Sequence, residues 1–356
     1  MSHFCLLADP DNYTVTDVDL LADADARAYW IRLFEEHFER ALAAAREAYG
    51  RAHAKDVESA RAAFAAALAP LRGREVPDMD GPVGVVQLCR MRERALRDNG
   101  LHDPFRHIKL RENQRALGAY PEVVARLEEF SPEQRWEELI RGVFAGNIFD
   151  LGSAATMGYA DQQVDFPAEV EKIRSRPWRI DDFDALAEVL PLAGGEPAPW
   201  GKAVIFVDNA GADFVLGLMP LARELAAHGT QVVLAANELP SLNDITADET
   251  ADLVGQLTTV DEDLASYVSA GLFEVVSTGN DIPLIDFSEV SDELNEAAAN
   301  ADLVVLEGMG RSVESNLNTQ FTVDSIQLCL LKDPFVAAWV GGEVFDCVCM
   351  YRPVEG

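Results

Sequence analysis

From residue 203 onward the chain keeps one rhythm. Apolar runs at 203–207, 231–236, 272–276, 303–306 and 346–350 alternate with longer stretches of helical period. Such short runs match buried strands, and the stretches between them can cross back over a sheet. The runs are continuously apolar rather than alternating, which means that both faces of each strand are covered. The pattern predicts an α/β fold, with an N-terminal helical domain packed on a C-terminal α/β/α three-layer, Rossmann-like domain.

Residues 1–191 read as mainly helical. Trp30, Ile31, Leu33, Phe34, Phe38 and Leu42 follow a helical period, and 55–72 is alanine-rich with Phe64, Leu68 and Leu71 spaced along it. Ser131-Pro132-Glu133-Gln134 is a helix start, with a capping serine and proline at the first position. The helix it opens runs through Trp136, Leu139, Val143 and Phe144 toward Asp150. The stretch LAGGEPAPWG at 192–201 is the joint, and 202–356 forms the second domain. A helix over 213–227 ends at His228-Gly229.

The net charge of −32 argues against nucleic acid or an anionic membrane as a partner. No apolar stretch is long enough to span a bilayer, and the N-terminus MSHFCLLADPDNYTVTD has no secretory pattern. Cys5, Cys89, Cys329, Cys347 and Cys349 have neither CxxC nor zinc spacing. They read as buried reduced thiols of a cytoplasmic protein, with Cys347 and Cys349 on one face of a strand.

Ligands of open α/β sheets bind at the carboxyl ends of strands. The first run ends in Asp208-Asn209, the second leads into Asn237-Glu238-Leu239-Pro240-Ser241-Leu242-Asn243-Asp244, and the fourth ends in Glu307-Gly308-Met309-Gly310-Arg311-Ser312. Asp and Asn singly are ordinary turn and cap residues. Three strand ends carrying acids, amides and glycines together point to a site. Oxygen donors with no nearby histidine suit a hard cation, Mg²⁺ or Mn²⁺.

From residue 201 the basic residues are Lys202, Arg223, Arg311, Lys332 and Arg352. Lys202 starts its strand, Arg223 lies within a helix and Arg352 is near the tail. Arg311 and Lys332 are left to meet an anion, with a structural salt bridge the competing reading for both, more so for Lys332 than for Arg311. Two glycines before Arg311 let backbone approach a ligand, a setting that suits phosphate. GADFVLG is not a dinucleotide fingerprint, no P-loop occurs, and Asp261-Glu262-Asp263 reads as a helix start. An aspartyl-phosphate mechanism is therefore not indicated. In RGVFAGNIFD, Asn147 and Asp150 share a helical face, and Gly142 and Gly146 allow close approach to it. That stretch reads equally well as a plain helix end running into Leu151-Gly152.

FVDNAGADFVLGLMPLARELAAHGTQVVLAANELPSLNDIT, LEGMGRS and RGVFAGNIFDLGS together resemble the metal-dependent damage-control phosphatases. The EGMGR string is similar to that of their second subfamily, which includes a phosphatase domain fused to a pantothenate-kinase-like protein. The resemblance spans about residues 85–350. It implies a divalent metal (Mn, Mg, Co or Ni) held by Asp208, Asn209 and Asp244. It places Glu307, Gly308, Met309, Gly310 and Arg311 at a small phosphorylated metabolite. It also gives Lys332 a phosphate contact and brings Asn147 and Asp150 to the pocket. On this expectation Asp208, Asn209, Asp244 and Arg311 carry catalysis, and Asp150 or Glu307 positions the attacking water. Asp213 falls to the first turn of the following helix, where the helix dipole favours an acid. The expected function is metal-dependent hydrolysis of sugar phosphates or phosphopantetheine-type monoesters, including damaged ones. The alternatives are a metal-stabilised binding module without turnover and a Rossmann-like transferase, the latter disfavoured by the missing glycine fingerprint.

Overall fold

A computed structural model describes residues 1–16, 18–73, 83–149, 165–192 and 196–354. The helices of the first part are α1 (Ala24–Tyr49), α2 (Ala54–Arg72), α3 (Val85–Arg97), α4 (Arg106–Glu128), α5 (Pro132–Gly146) and α6 (Phe166–Lys172). Strand β1 (Ile180–Asp181) and helix α7 (Phe183–Ala187) follow. Next come β2 (Lys202–Phe206), α8 (Met219–Ala227), β3 (Gln231–Ala236), α9 (Ala247–Leu257), α10 (Glu262–Ser269) and β4 (Phe273–Ser277). The chain ends with α11 (Asp292–Ala298), β5 (Leu303–Glu307), β6 (Asp324–Leu330), α12 (Pro334–Trp339) and β7 (Cys347–Arg352). Local chemistry sets the helix starts. Asp23 accepts from the Asp25 and Ala26 amides, Ser131 accepts from Gln134 N ahead of Pro132, and Thr246 and Glu249 close a capping box.

The strands form one seven-stranded sheet in the order β1-β7-β6-β5-β2-β3-β4. All neighbours run parallel except β6 and β7. Successive side chains of a strand point to opposite faces, and here both faces are apolar. Ala203, Ile205, Leu303 and Val305 join one core with α5 and α8, while Val204, Phe206, Val304 and Leu306 join another with α11. Phe4 belongs to the second core, stacked on Phe287 at 5.1 Å, so the first residues of the chain lie on the face away from α5. A third core holds α1, α2 and α3 together with Leu242, Leu284, Met309, Leu331 and Val348.

The five expected strands are present. Two were missed: the two-residue β1 and the whole of β6. Strand β6 was masked by Asp324, Ser325 and Gln327, which break the apolar run. Gln327 is buried because its amide donates to Ser312 O (3.2 Å) and Asn316 O (2.8 Å). The expected helix over 213–227 opens as a π-helical turn, Asp213–Leu218, before α8. Its end is as expected, with Gly229 at φ 89°. The five cysteines are free, but Cys5 is exposed rather than buried. Among the described residues, no helix is long and apolar enough to cross a membrane.

Strand β2 connects to β3 on one side, and the chain later returns to place β5 on the other. The order of connection reverses there, so a crevice opens at the carboxyl ends of β2 and β5. Helix α5 reaches this crevice through glycine. A Cβ on Gly146 would stand 2.9 Å from Asp213 Cα, and one on Gly217 would stand 3.0 Å from Gly142 O. Gly146→Ala therefore forces backbone apart and is expected to destabilise the fold by about 1–3 kcal/mol. Gly118→Ala, exposed on α4 with nothing within 4 Å of the new methyl, is expected to stabilise by roughly 0.5–1 kcal/mol. Urea unfolding of the two variants checks both signs.

Candidate active site

The two central strands deliver their acids side by side. Asp208 and Asn209 follow β2, and Glu307 is the last residue of β5. Asp208 N donates to Glu307 Oε2 at 2.9 Å. The loop after β3 folds back beside them, with Ala210 N donating to Asn243 O (2.9 Å) and Ile245 N to Asp208 O (3.0 Å). These bonds pair the Asn209 and Asp244 backbones and bring Asp244 to the same place. Leu242 turns that loop at φ 50°, a left-handed conformation that a branched side chain seldom adopts.

Asp208, Asp213 and Glu307 offer oxygens that all lie within 4.8 Å of one another, and all three are buried. Asn147 Nδ2 sits among them, donating to Asp208 Oδ2 (3.1 Å), Asp213 Oδ2 (3.1 Å) and Glu307 Oε1 (3.3 Å). Asn209 Nδ2 donates to Asp208 Oδ2 (2.9 Å) and Asp213 Oδ2 (2.8 Å), which turns its own Oδ1 away from them. Asp213 Oδ1 is buried with no hydrogen-bond partner. Burial, then the charge on Asp208, pushes the Asp213 carboxyl up to about 7. Burial, then Asp213 and Asp208, raises Glu307 in the same direction. Asp213 does occupy the first turn after β2 as expected, but that turn is π-helical and directs the carboxylate inward. Its place five residues beyond Asp208 was the available signal.

Two cations answer these acids. Arg311, 2 % exposed, donates through Nη2 to Asp244 Oδ2 (2.8 Å) and Asn237 Oδ1 (3.1 Å), and through Nη1 to Asp208 Oδ1. Burial opposes its charge, but Asp208 and Asp244 outweigh that and raise its pKa. Lys332 is buried, and its charge counters the upward shifts of Asp213 and Glu307. Its amide donates to Met309 Sδ at 3.2 Å. Gly308 has φ 92°, and a Cβ there would lie 2.2 Å from Asp208 Oδ2, so only glycine fits. A second π-helical turn, Gly310–Glu314, carries Arg311. Such turns recur at functional sites.

A cavity of about 70 Å³ opens onto Asp208, Asn209 and Asp244, with Met309 and Gly310 on its wall. Asn147, Glu307, Gly308, Arg311, Lys332 and Asp213 are not among its lining residues, and the buried side chains of this group stand behind it. Asp150 lies outside the described residues. The opposite wall comes from the helical part: Trp30 and Phe34 on α1, and Arg92 on α3. Sequence reasoning missed these three, because Trp30 and Phe34 carry an ordinary helical apolar stripe and Arg92 lies in a run of charged residues.

The donor set is carboxylates and an amide, with an orphaned buried oxygen on Asp213, which fits a hard divalent cation. The family model for the damage-control phosphatase ARMT1-like domain matches residues 34–348. A damage-control phosphatase of Arabidopsis thaliana is 43 % identical over 77 % of this chain and 74 % of its own length. Pantothenate kinase 2 of the same plant is 39 % identical over 98 % of this chain, which spans only 42 % of that longer protein. A mouse 4'-phosphopantetheine phosphatase is 29 % identical over 98 % of this chain and 48 % of its own length. The crystal structure of a DUF89 family protein from Pyrococcus horikoshii shares the fold, with TM-score 0.64 and 19 % identity over 95 % of this chain and 99 % of that one. With a match that runs across most of its length, this chain belongs to the ARMT1-like damage-control phosphatase domain family.

Proposed function

We propose that this chain is a divalent-metal-dependent phosphatase that hydrolyses small phosphomonoester metabolites. Phosphopantetheine-type compounds and sugar phosphates are the classes to test first, the former suggested by the name of the mouse relative. One observation carries the reading. Of the oxygen donors on the cavity wall, Asp208, Asn209 and Asp244 are held together after β2 and β3, and Arg311 joins two of them from behind. Five free cysteines support a reducing, cytoplasmic setting.

Asp208, Asn209 and Asp244 would hold the metal, Mn²⁺, Mg²⁺, Co²⁺ or Ni²⁺. When bound, such a cation polarises a phosphoryl oxygen as a Lewis acid. Asn209 presents its Oδ1 because its amide nitrogen is tied to Asp208 and Asp213. Arg311 and Lys332 supply positive charge to the phosphoryl group as charge develops on it. Burial and mutual repulsion push Asp213 and Glu307 toward their neutral forms behind the cavity, which lessens the negative charge of the cluster. Glu307 orients Asp208 through the backbone amide, and Met309 and Gly310 bring the loop wall to the substrate.

Phosphate release from a phosphomonoester panel, after chelation and add-back of each metal, tests the reading. Turnover restored by metal is expected, and none with any metal would overturn it. Asp208→Ala is expected to lose at least about 10³-fold in kcat, with circular dichroism unchanged. Full activity in that folded variant would remove Asp208 from the metal site.

Stability of the chelated protein follows from the raised Asp213 carboxyl. Between its ordinary value of 3.8 and about 7, the native state binds more protons than the unfolded chain. This contribution is therefore present at low pH and is lost as pH rises through that window, by at most about 1.4 kcal/mol per unit. Thermal melts in chelator from pH 5 to 8 are expected to show this decline, and Asp213→Asn is expected to flatten it.

A further inference from the structure

The wall opposite the acids carries one buried donor without a protein partner, on Trp30, and a guanidinium only partly engaged, on Arg92. Trp30 is 3 % exposed, lines the cavity, and its Nε1–H has no hydrogen-bond partner. Arg92 is 1 % exposed and lines the same cavity. Its Nε donates to Glu93 Oε1 (2.8 Å) and its Nη2 to Ser241 Oγ (3.3 Å). Among the described residues its Nη1 donates to nothing. Its guanidinium lies 5.4 Å from the centre of the Phe34 ring. A buried donor left without an acceptor is costly, so the Trp30 N–H, with the Arg92 guanidinium beside it on one cavity wall, indicates what belongs there.

We propose that Trp30 and Arg92 are specificity-determining residues that together receive an uncharged acceptor oxygen on the leaving alcohol of the substrate. The proposal rests on the phosphatase reading above. The donors call for an acceptor, and the charge state of the wall decides which kind. Glu93 already neutralises Arg92, and Ser241 Oγ ties the pair down by donating to Glu93 Oε1 at 2.9 Å. The remaining charged groups on the cavity, Asp208, Asp244, Glu314 and Asp333, are acids. A carbonyl or hydroxyl oxygen fits such a wall, and a second anion does not. The faces of Trp30 and Phe34 and the side chains of Leu242 and Leu284 take the carbon skeleton. Trp30 is itself fixed against Phe34 at 6.3 Å and Phe335 at 6.3 Å between ring centres.

The test uses the Mn²⁺-loaded protein and two substrates. Dihydroxyacetone phosphate has a carbonyl beyond the ester oxygen, and propyl phosphate has no acceptor there. Trp30→Phe keeps a ring and removes the N–H. Arg92→Met paired with Glu93→Gln removes the guanidinium without stranding a buried carboxylate. In each variant the ratio of kcat/KM for dihydroxyacetone phosphate over propyl phosphate is expected to fall about tenfold, chiefly through KM. The wild type is expected to prefer glycerol 3-phosphate to 3-phosphoglycerate by at least about tenfold. An unchanged substrate ratio in folded Trp30→Phe overturns the proposal, as does equal use of 3-phosphoglycerate. If the paired variant does not fold, Trp30→Phe alone decides. If the wild type turns over neither substrate, calorimetric titration with the matching phosphonates separates the two ideas. Weakened binding of only the carbonyl-bearing phosphonate in Trp30→Phe sustains this proposal while the phosphatase reading falls. No phosphonate binding to the wild type overturns both.

Discussion

The carboxyl end of the sheet depends on one electrostatic problem: four acids held close together where water is excluded. Asp208, Asp213, Asp244 and Glu307 are each no more than 5 % exposed. Left alone, each buried carboxylate would carry a penalty of several kcal/mol. The protein divides the problem in two. Toward the cavity, Asp208 and Asp244 share the guanidinium of Arg311. Away from it, Asp213 and Glu307 are pushed toward their neutral forms, and Asn147 donates to three carboxylates at once. One half of the cluster is paired with a cation and faces the cavity, and the other half is pushed toward the neutral form. The four acids thus sit in two different electrostatic settings, separated by which side of the strand ends they occupy.

The backbone serves this arrangement at points where side chains would obstruct it. Gly308 lets its loop pass against Asp208, and Gly146 and Gly217 let α5 close on the turn bearing Asp213. Both π-helical turns follow central strands, one carrying Asp213 and the other Arg311. The extra residue in such a turn re-aims side chains that an α-helix would direct elsewhere. Lys109 braces the Asp244 loop from the helical part, contacting Glu249 at 2.8 Å and Asp103 at 3.1 Å.

The sheet was legible because its central strands are covered on both faces and so appear as apolar runs. Strand β6 was not, since its buried Gln327 is satisfied by backbone carbonyls that only the folded chain supplies. The strand-end residues Asp208, Asn209, Asp244, Glu307 and Arg311 stood out because acids, amides and glycines gather at the ends of three buried strands. Lys332 was legible by elimination in a lobe with few cations. Asp213 was visible but was given to the helix dipole, because period alone does not distinguish an α-turn from a π-turn. Trp30 and Arg92 were not legible at all. Their chemistry depends on α1 and α3 crossing the mouth of the sheet, a long-range contact that local pattern does not encode.

The placement of α1 also bears on how the chain is made. Trp30 and Tyr29 pack on Phe335, and Phe4 packs on Phe287 and Phe321. Partners separated by about three hundred residues are synthesised far apart in time, and closing such contacts is slow. While a ribosome is still translating the middle of the chain, the apolar stripe of α1 has none of its strand-end partners. Helix α1 therefore emerges well before the segments it packs on, and its apolar stripe is covered only once they follow. During that interval exposed apolar surface makes aggregation a competitor of folding.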